Sequence, residues 1–341
     1  MARFAEARLV NDPFGDPGAL IDFRFGARAL LFDLGEIDAL SPREIVRVSE
    51  VFVSHLHMDH FSGFDRLLRL KLYQPQTVTL FGPPGLIDGV ESKLRAYRWN
   101  LLGTHSAPFV LRAFDWERGF LAGARFEARQ AFRRTDEPLP DLHGRLLLQE
   151  GDFSIEGAVL DHGIPCLAFA FQESARINVN KVALAQLGLP VGPWLSGAKA
   201  ALRRGDLDLS IEVEGRTVWP RTLAEAGALA TGPGQRIVYA TDFGFTPANI
   251  DAVLGLAKGA ERLFIEAAFL DREPFRAKVT HHLTARQAGE IARRAGVSRA
   301  TPLHFSTRHL REEQALRAEF EAAVRHRPAI LARNGLAPGA V

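Results

Sequence analysis

The sequence predicts an α/β protein in which helices cover β-sheets. Short apolar runs recur along the chain, and runs of this length are typical of buried strands. They lie at residues 29–32, 51–53, 78–81, 158–160, 167–171, 237–240 and 263–265. Helical patterns lie between or after them, notably at 284–295 and 311–325. With 341 residues, of which 47% are hydrophobic, the chain is long enough for one large or two medium domains and a substantial core.

One stretch, at about residues 177–215, interrupts this series of strands and helices. Residues 187–194 read Leu-Gly-Leu-Pro-Val-Gly-Pro-Trp, and Lys199, Arg203 and Arg204 follow. Glycine and proline at this density are typical of turns and loops. We therefore predict a single domain over residues 1–341, from which this stretch projects as an arm-like insertion.

The composition excludes several classes of protein. No apolar stretch reaches the roughly eighteen residues needed to cross a bilayer, and the first residues lack the hydrophobic region of a signal peptide. The single cysteine, Cys166, excludes an intramolecular disulfide and a cysteine-cluster metal site, so we expect a cytoplasmic protein without a membrane partner. A net charge of +2 and a pI near 8.8 allow an RNA partner without requiring one.

Four candidate metal ligands follow one of the apolar runs. His55, His57, Asp59 and His60 come directly after the run at 51–53 and before a helical pattern. Side chains at i and i+2 of an extended segment point to the same side, so His55 and His57 can bind one ion. Asp59 and His60 lie where the chain turns towards the helix, and they can face a second ion. Two divalent ions about 3.5–4 Å apart can activate a water and stabilise the oxygens of a displacement, so this cluster predicts a two-metal hydrolase.

Three further candidate ligands each follow another apolar run: His162, Asp242 and His304. A single histidine after a strand is more often a hydrogen-bonded loop residue, but side chains at the ends of several strands can converge on the first cluster. Two sets are then predicted, with one ion held by His55, His57, His162 and Asp242, and the other by Asp59, His60 and His304 with Asp242 bridging. Nitrogen and oxygen ligands of this kind suit Zn²⁺, with Mn²⁺ or Fe²⁺ as alternatives.

These residues, in this order, resemble the metallo-β-lactamase superfamily and, within it, the ribonuclease Z family. The resemblance is strongest over residues 51–60 and 237–309. Three stretches resemble family motifs in detail. Ile-Glu-Ala-Ala-Phe at 265–269 resembles the family's strand that ends in an acidic motif, and His-His-Leu-Thr-Ala-Arg-Gln-Ala at 281–288 resembles its His-Ser-Thr motif. Leu-His-Phe-Ser-Thr-Arg at 303–308 resembles its His-Phe-Ser-x-Arg stretch. Residues 188–194 resemble the base of the family's tRNA-clamping arm.

The resemblance implies a four-layered αββα sandwich with the dimetal site at one edge. It also implies an endonuclease that trims the 3′ end of precursor tRNA and acts as a homodimer, in which the arm of one subunit serves the site of the other. His282 aligns with the family's motif histidine and is the predicted general acid, with Glu266 orienting it. Asp59 is the predicted proton acceptor for a hydroxide that bridges the ions and attacks the phosphorus.

The substrate remains open at the level of the sequence. The family usually begins with a Gly-Thr-x-x-x-x-Pro-Thr loop, whereas residues 11–18 read Asn-Asp-Pro-Phe-Gly-Asp-Pro-Gly. Candidate contacts to an RNA phosphate are Arg308, Lys199, Arg203 and Arg204. The insertion is nearly charge-balanced, however, so the electrostatic case for RNA is weak. The alternative is a same-fold hydrolase of a cyclic nucleotide, another small phosphodiester or a lactone, which an arm folded over the site would favour.

Overall fold

The strands of this computed structural model form two large and two small sheets, in the residues that it describes, 4–24, 27–174 and 176–326. The strands are β1 (Ala5–Leu9), β2 (Ala19–Phe23), β3 (Ala29–Phe32), β4 (Val48–Phe52), β5 (Thr77–Gly82), β6 (Val110–Trp116), β7 (Phe120–Glu127), β8 (Arg134–Asp136), β9 (Leu146–Gln149), β10 (Phe153–Asp161), β11 (Pro165–Glu173), β12 (Arg176–Val179), β13 (Ile211–Val213), β14 (Arg216–Val218), β15 (Leu229–Gly232), β16 (Arg236–Ala240), β17 (Arg262–Glu266) and β18 (Arg299–Leu303). The first large sheet has the order β1 to β8, and its strands β3 to β6 run parallel. The second has the order β18-β17-β16-β11-β10-β9, with β16 to β18 parallel.

Helices connect and cover these sheets. The α-helices are α1 (Pro42–Arg47), α2 (Met58–Phe61), α3 (Phe64–Lys71), α4 (Leu86–Arg95), α5 (Lys181–Gln186), α6 (Trp194–Arg204), α7 (Pro220–Glu225), α8 (Pro247–Ala257), α9 (Pro274–Val279), α10 (Ala285–Ala295) and α11 (Glu313–Arg325). Short 3₁₀ helices lie at Ala128–Gln130 and Thr307–His309. Helix α10 begins where the sequence pattern predicts, because Thr284 and Gln287 form a capping box at its N-terminus. Over the described ranges, none of the helices combines the length and apolar character that a membrane span requires.

The two large sheets pack face to face, and helices cover their outer faces. Aromatic rings fill the space between the sheets, including Phe32 and Phe52 from the first and Phe169 and Tyr239 from the second. Helices α1, α3 and α4 pack on the outer face of the first sheet, and α8, α10 and α11 on that of the second. This is a four-layered αββα sandwich, and it confirms the predicted fold class.

The burial of both faces of each sheet explains the continuous apolar runs of the sequence. Successive side chains of a strand point to opposite faces, and at the end of β4 Val51 and Val53 pack under the helices while Phe52 packs between the sheets. A strand covered on both sides therefore needs an apolar residue at nearly every position.

Residues 176–232, which we call the arm segment, have a small core of their own. Leu184, Leu195 and Leu223 lie in it, and the predicted insertion at about 177–215 falls within the segment. The arm segment leaves the second sheet after β11 and returns before β16. Strand β10 spans nine residues, so the segment attaches about 26 Å from the sheet edge where β10 ends, at roughly 3.3 Å per residue.

Candidate metal centre

The seven predicted metal ligands converge at one edge of the sandwich, where strands of both sheets end. The cluster at 55–60 follows β4, while His162 follows β10, Asp242 follows β16 and His304 follows β18. Strands β16 to β18 run parallel, and β10 runs in the same direction because both it and β16 are antiparallel to β11. Their carboxyl ends therefore meet at the same edge, as in other sheets that bind ligands there.

Three residues that follow strands at this edge have a left-handed backbone. The angle φ is +60° at Asp33, +51° at Asp242 and +57° at His304. Residues other than glycine rarely adopt this conformation, and such strain is concentrated at functional sites, where the surrounding structure maintains it. The chain thus turns within two residues of the ends of β3, β16 and β18, and each of these turns contributes a side chain to the site.

The candidate ligand atoms form three overlapping groups, within each of which they lie no more than 4.8 Å apart, and the third joins Asp242 and His304 to His282. The first group consists of His55, His57, His162 and Asp242, and the second of Asp59, His60 and His304. These are the two sets that the sequence predicts, with the carboxylate of Asp242 between them. Its Oδ2 is 3.3 Å from His60 Nε2 and 3.7 Å from His55 Nε2, and its Oδ1 is 3.3 Å from His304 Nδ1.

Asp33 orients one of the histidines and was not identified from the sequence. Its Oδ2 accepts hydrogen bonds from His60 Nδ1 at 2.8 Å, from the Ser54 hydroxyl at 2.9 Å and from the Tyr239 hydroxyl at 2.9 Å. A carboxylate on Nδ1 fixes the tautomer that leaves Nε2 available to a metal. The signal was present, because Asp33 follows the apolar run at 29–32 just as Asp242 follows the run at 237–240.

The donors at this edge fit divalent cations. Within the described residues, the buried His55 Nε2 and His60 Nε2 have no hydrogen-bond partner, and both face Asp242. Unpaired buried polar atoms are rare and call for an explanation, and bound cations would provide one for both nitrogens. His162 is oriented in a similar way, because its Nδ1 donates to the carbonyl of His281 at 2.9 Å and leaves Nε2 free.

The electrostatics of the cluster also favour cations. Burial and the neighbouring charge of His60 lower the pKa of His55 to about 2, so its ring is neutral and can act as a ligand. Burial raises the pKa of Asp59, but its hydrogen bond with His304 and the nearby histidines lower it to about 2 overall. The Asp242 carboxyl is fully buried, yet the charges of His304 and His60 hold its pKa well below the usual value. Both carboxylates are therefore ionised at neutral pH.

His282 and Glu266 form a hydrogen-bonded pair beside the first two groups. Glu266 is fully buried and accepts from His282 Nδ1 at 3.0 Å, from the Phe243 N–H at 2.7 Å and from the Leu283 N–H at 3.2 Å. Burial lowers the pKa of His282, but the Glu266 carboxylate raises it to about 9 overall. The His282 ring is thus held in one orientation and is protonated at neutral pH.

Of the four predicted substrate contacts, Arg308 lies apart from the other three. Arg308 is in the Thr307–His309 turn beside His304, half exposed, with Nη2 at 3.6 Å from the Glu273 carboxylate. The other three are on α6 of the arm segment, where Arg203 donates to Asp152 at 2.6 Å and Arg204 to Asp206 at 2.8 Å, while Lys199 is half-buried. These three lie towards the end of the sheet that is remote from the metal centre.

Comparisons with known proteins agree with this geometry. Residues 200–305 match the Beta-lactamase superfamily domain. The chain is 30% identical over 306 residues to a ribonuclease Z of Deinococcus radiodurans, and the match covers 87% of this chain and 90% of that one. The chain belongs to the ribonuclease Z family. A ribonuclease Z of Methanothermobacter thermautotrophicus is 26% identical over 87% of this chain and 84% of its own.

A solved structure shows the same fold. The metallo-beta-lactamase fold protein YhfI from Bacillus subtilis superposes with a TM-score of 0.52 and 15% identity, over 93% of this chain and 91% of its own. The resemblance predicted from residues 51–60 and 237–309 is therefore confirmed, and family membership concerns nearly the whole chain.

Proposed function

We propose that this member of the ribonuclease Z family is an endonuclease that hydrolyses a phosphodiester bond at the 3′ end of precursor tRNA with two divalent ions. The main observation behind this proposal is that two groups of candidate ligands meet at the carboxylate of Asp242, in a chain of this family.

A site that the arm segment leaves uncovered favours RNA over a small substrate. No arm-segment residue is among the described residues that line the pocket at the metal centre.

In the proposed hydrolysis, Asp59 acts on the attacking water and His282 acts on the leaving oxygen. Bound divalent ions would lower the pKa of an attacking water and neutralise the charge of the phosphate. Asp59 is ionised and partly exposed, so it can accept the proton of that water. His282 is protonated and can donate a proton from Nε2 to the leaving oxygen. Glu266 has no exposed surface and acts through His282 as a positioning residue.

The two ions are, in this proposal, Zn²⁺. The donors are imidazole nitrogens and carboxylate oxygens, which suit zinc, and no thiolate takes part. Cys166 lies behind His55 with Sγ at 3.7 Å from Nδ1, and burial raises the pKa of its thiol far above the ordinary value.

The active unit is, in this proposal, a homodimer. Lys199, Arg203 and Arg204 lie on a segment that attaches about 26 Å from the metal centre of the same chain. Contact with the RNA close to the cleaved bond would then come from the arm segment of a second copy, as the family resemblance implies. Sedimentation analysis at micromolar concentration should give twice the monomer mass, and a monomer that cleaves precursor tRNA normally would contradict this arrangement.

A cleavage assay tests the proposed function directly. Protein purified with zinc is incubated with a precursor tRNA that carries a 3′ trailer, beside bis-p-nitrophenyl phosphate and a cyclic nucleotide. We expect a cut at the end of the tRNA, about two zinc ions per chain by elemental analysis, and no cleavage by the Asp59→Ala variant. Cleavage of the small esters alone would refute the tRNA substrate and favour the small-molecule alternative.

The His282→Ala variant separates the roles of acid and ligand. We expect cleavage to slow by roughly 100-fold or more, as for loss of a general acid, while zinc content stays normal. Loss of zinc in this variant would instead identify His282 as a ligand, because its ring also lies within reach of Asp242 and His304.

A further inference from the structure

A pocket of about 270 Å³ opens directly beside the metal centre. Asp59, His282 and His304 form one side of it, so the pocket is continuous with the site of cleavage. The other lining residues come from the loop at residues 14–17 and from the turns at 268–269 and 305–307. The proposed hydrolysis assigns roles to Asp59 and His282 but none to the residues of the Phe14 loop.

Three phenylalanines line the pocket. Phe269 and Phe305 are buried, whereas Phe14 is only partly buried and packs edge to face on Phe305 with ring centroids 5.4 Å apart. An aromatic ring that is left open at the mouth of a catalytic site offers a face on which a planar group can stack.

Hydrogen bonds hold the loop that carries Phe14 in place. Asp12 Oδ1 accepts from the N–H groups of Phe14 and Gly15 at 2.8 and 3.2 Å, and the Phe305 N–H donates to the Pro13 carbonyl at 2.6 Å. Further along, the Asp16 carboxylate accepts from the Glu36 N–H at 2.9 Å. The ring of Phe14 is thus pre-organised, and binding a stacked group need not order the loop first.

The charges beside the Phe14 loop disfavour a phosphate in that part of the pocket, whereas the scissile phosphate belongs beside His282 and the candidate metal ligands. The carboxylates of Asp16 and Asp59 both line it, and no arginine or lysine does among the described residues. An uncharged planar group is compatible with these walls. At the rim, the exposed Thr307 hydroxyl makes no hydrogen bond within the described ranges and can donate to or accept from the edge of such a group.

We propose that this pocket is a nucleobase subsite, in which Phe14 stacks on the base of a nucleotide that adjoins the scissile phosphate. The inference rests on the proposed endonuclease activity and adds to it a second element of substrate recognition. Stacking on a phenyl ring tolerates every base, because each has a π-face. The subsite therefore detects that a base is present and unpaired, without reading which base it is.

A double-mutant cycle, with one change in the protein and one in the RNA, tests the subsite. Wild-type and Phe14→Ala proteins are compared on a precursor tRNA that is intact or carries one abasic nucleotide, immediately 5′ or immediately 3′ of the cleaved bond. We expect Phe14→Ala to lower kcat/KM on intact RNA about 10-fold, in the range of one lost base stack. At one of the two positions, loss of the base should lower kcat/KM of the wild-type protein by a similar factor. The same abasic RNA should lower kcat/KM of the Phe14→Ala protein by less than twofold.

Two further variants control for packing and for general loss of an aromatic ring. Phe14→Trp should retain the coupling to the base, and Phe275→Ala, which removes an exposed phenyl ring that does not line the pocket, should behave as wild type. Zinc content and melting temperature verify that each variant keeps its centre and its fold.

A binding signal that needs no turnover completes the test. With 2-aminopurine at the coupled position, the metal-free wild-type protein should quench the fluorescence and the metal-free Phe14→Ala protein should not. If the effects of Phe14→Ala and of base loss on kcat/KM are independent at both positions, the subsite is overturned, while the endonuclease proposal stays intact. Failure of the wild-type protein to cut the intact RNA would overturn the endonuclease proposal and the subsite with it.

Discussion

Replacing Asp33 by asparagine would change the tautomer of His60, a candidate metal ligand, without changing any candidate ligand itself. Three donors converge on Asp33 Oδ2, from His60, Ser54 and Tyr239. Asparagine keeps one carbonyl oxygen, which can still accept from the Ser54 N–H, but it presents an NH₂ group to these donors. The two hydroxyls can rotate to accept from it. With a metal on Nε2 the ring of His60 carries its proton on Nδ1, and it could accept from the amide only by moving that proton to Nε2, the nitrogen that lies 3.3 Å from Asp242.

The expected loss follows from that proton transfer. Substitution of the group that orients a metal-ligating histidine lowers metal affinity by about 10- to 100-fold, which corresponds to roughly 1.4–2.7 kcal/mol. Zinc affinity is measured by competition with a chromogenic chelator at pH 7.5, for wild type, Asp33→Asn and the control Asp38→Asn, in which the changed carboxylate is on the surface. Thermal unfolding of the metal-free proteins monitors the fold. An Asp33→Asn protein that folds and binds zinc within twofold of wild type would refute the argument.

The remaining predictions concern catalysis, stability and assembly. Glu266→Gln should slow cleavage by roughly tenfold or more at unchanged zinc content. Because Glu266 raises the pKa of His282 and an acid works only while protonated, the alkaline limb of the kcat profile should also move to lower pH; an unmoved limb would contradict this role. Lys71→Met should lower the free energy of unfolding in urea by about 3 kcal/mol, since the buried ammonium group donates to carbonyls at the end of α1, and an unchanged midpoint would count against it. Subunits that lack 176–232 should regain tRNA cleavage when mixed with Asp59→Ala subunits, because each supplies what the other lacks. No recovery on mixing would oppose the homodimer.

Much of the fold follows from local patterns. The seven apolar runs lie in or overlap strands, and the patterns at 284–295 and 311–325 lie over α10 and α11. The ends of the elements depend on tertiary contacts: β4 begins at Val48, three residues before its apolar run, because pairing with β3 and β5 extends it. Likewise, the compact part of the insertion continues to residue 232, because β15 closes it by pairing with β12.

The site was predictable where its chemistry is local. The ligand cluster after β4 carries its own geometry, because i and i+2 side chains of an extended chain face the same side. Asp33 was missed because one aspartate after a strand has no distinguishing spacing, and its importance depends on three donors from residues 54, 60 and 239. The pocket at Phe14 was likewise not recognisable from the sequence, since its lining residues are up to 293 residues apart along the chain, at residues 14 and 307.

The sequence by itself determined the chemistry of the candidate centre, its nitrogen and oxygen ligands, the α/β class and the family. The tertiary structure decided how those ligands divide around Asp242, where the left-handed turns lie, and that the basic residues of the arm segment are remote from the centre of their own chain. The physical reason is the range of the interactions. Side-chain type and strand periodicity are local properties, whereas convergence at a sheet edge depends on pairing between strands that are distant in sequence.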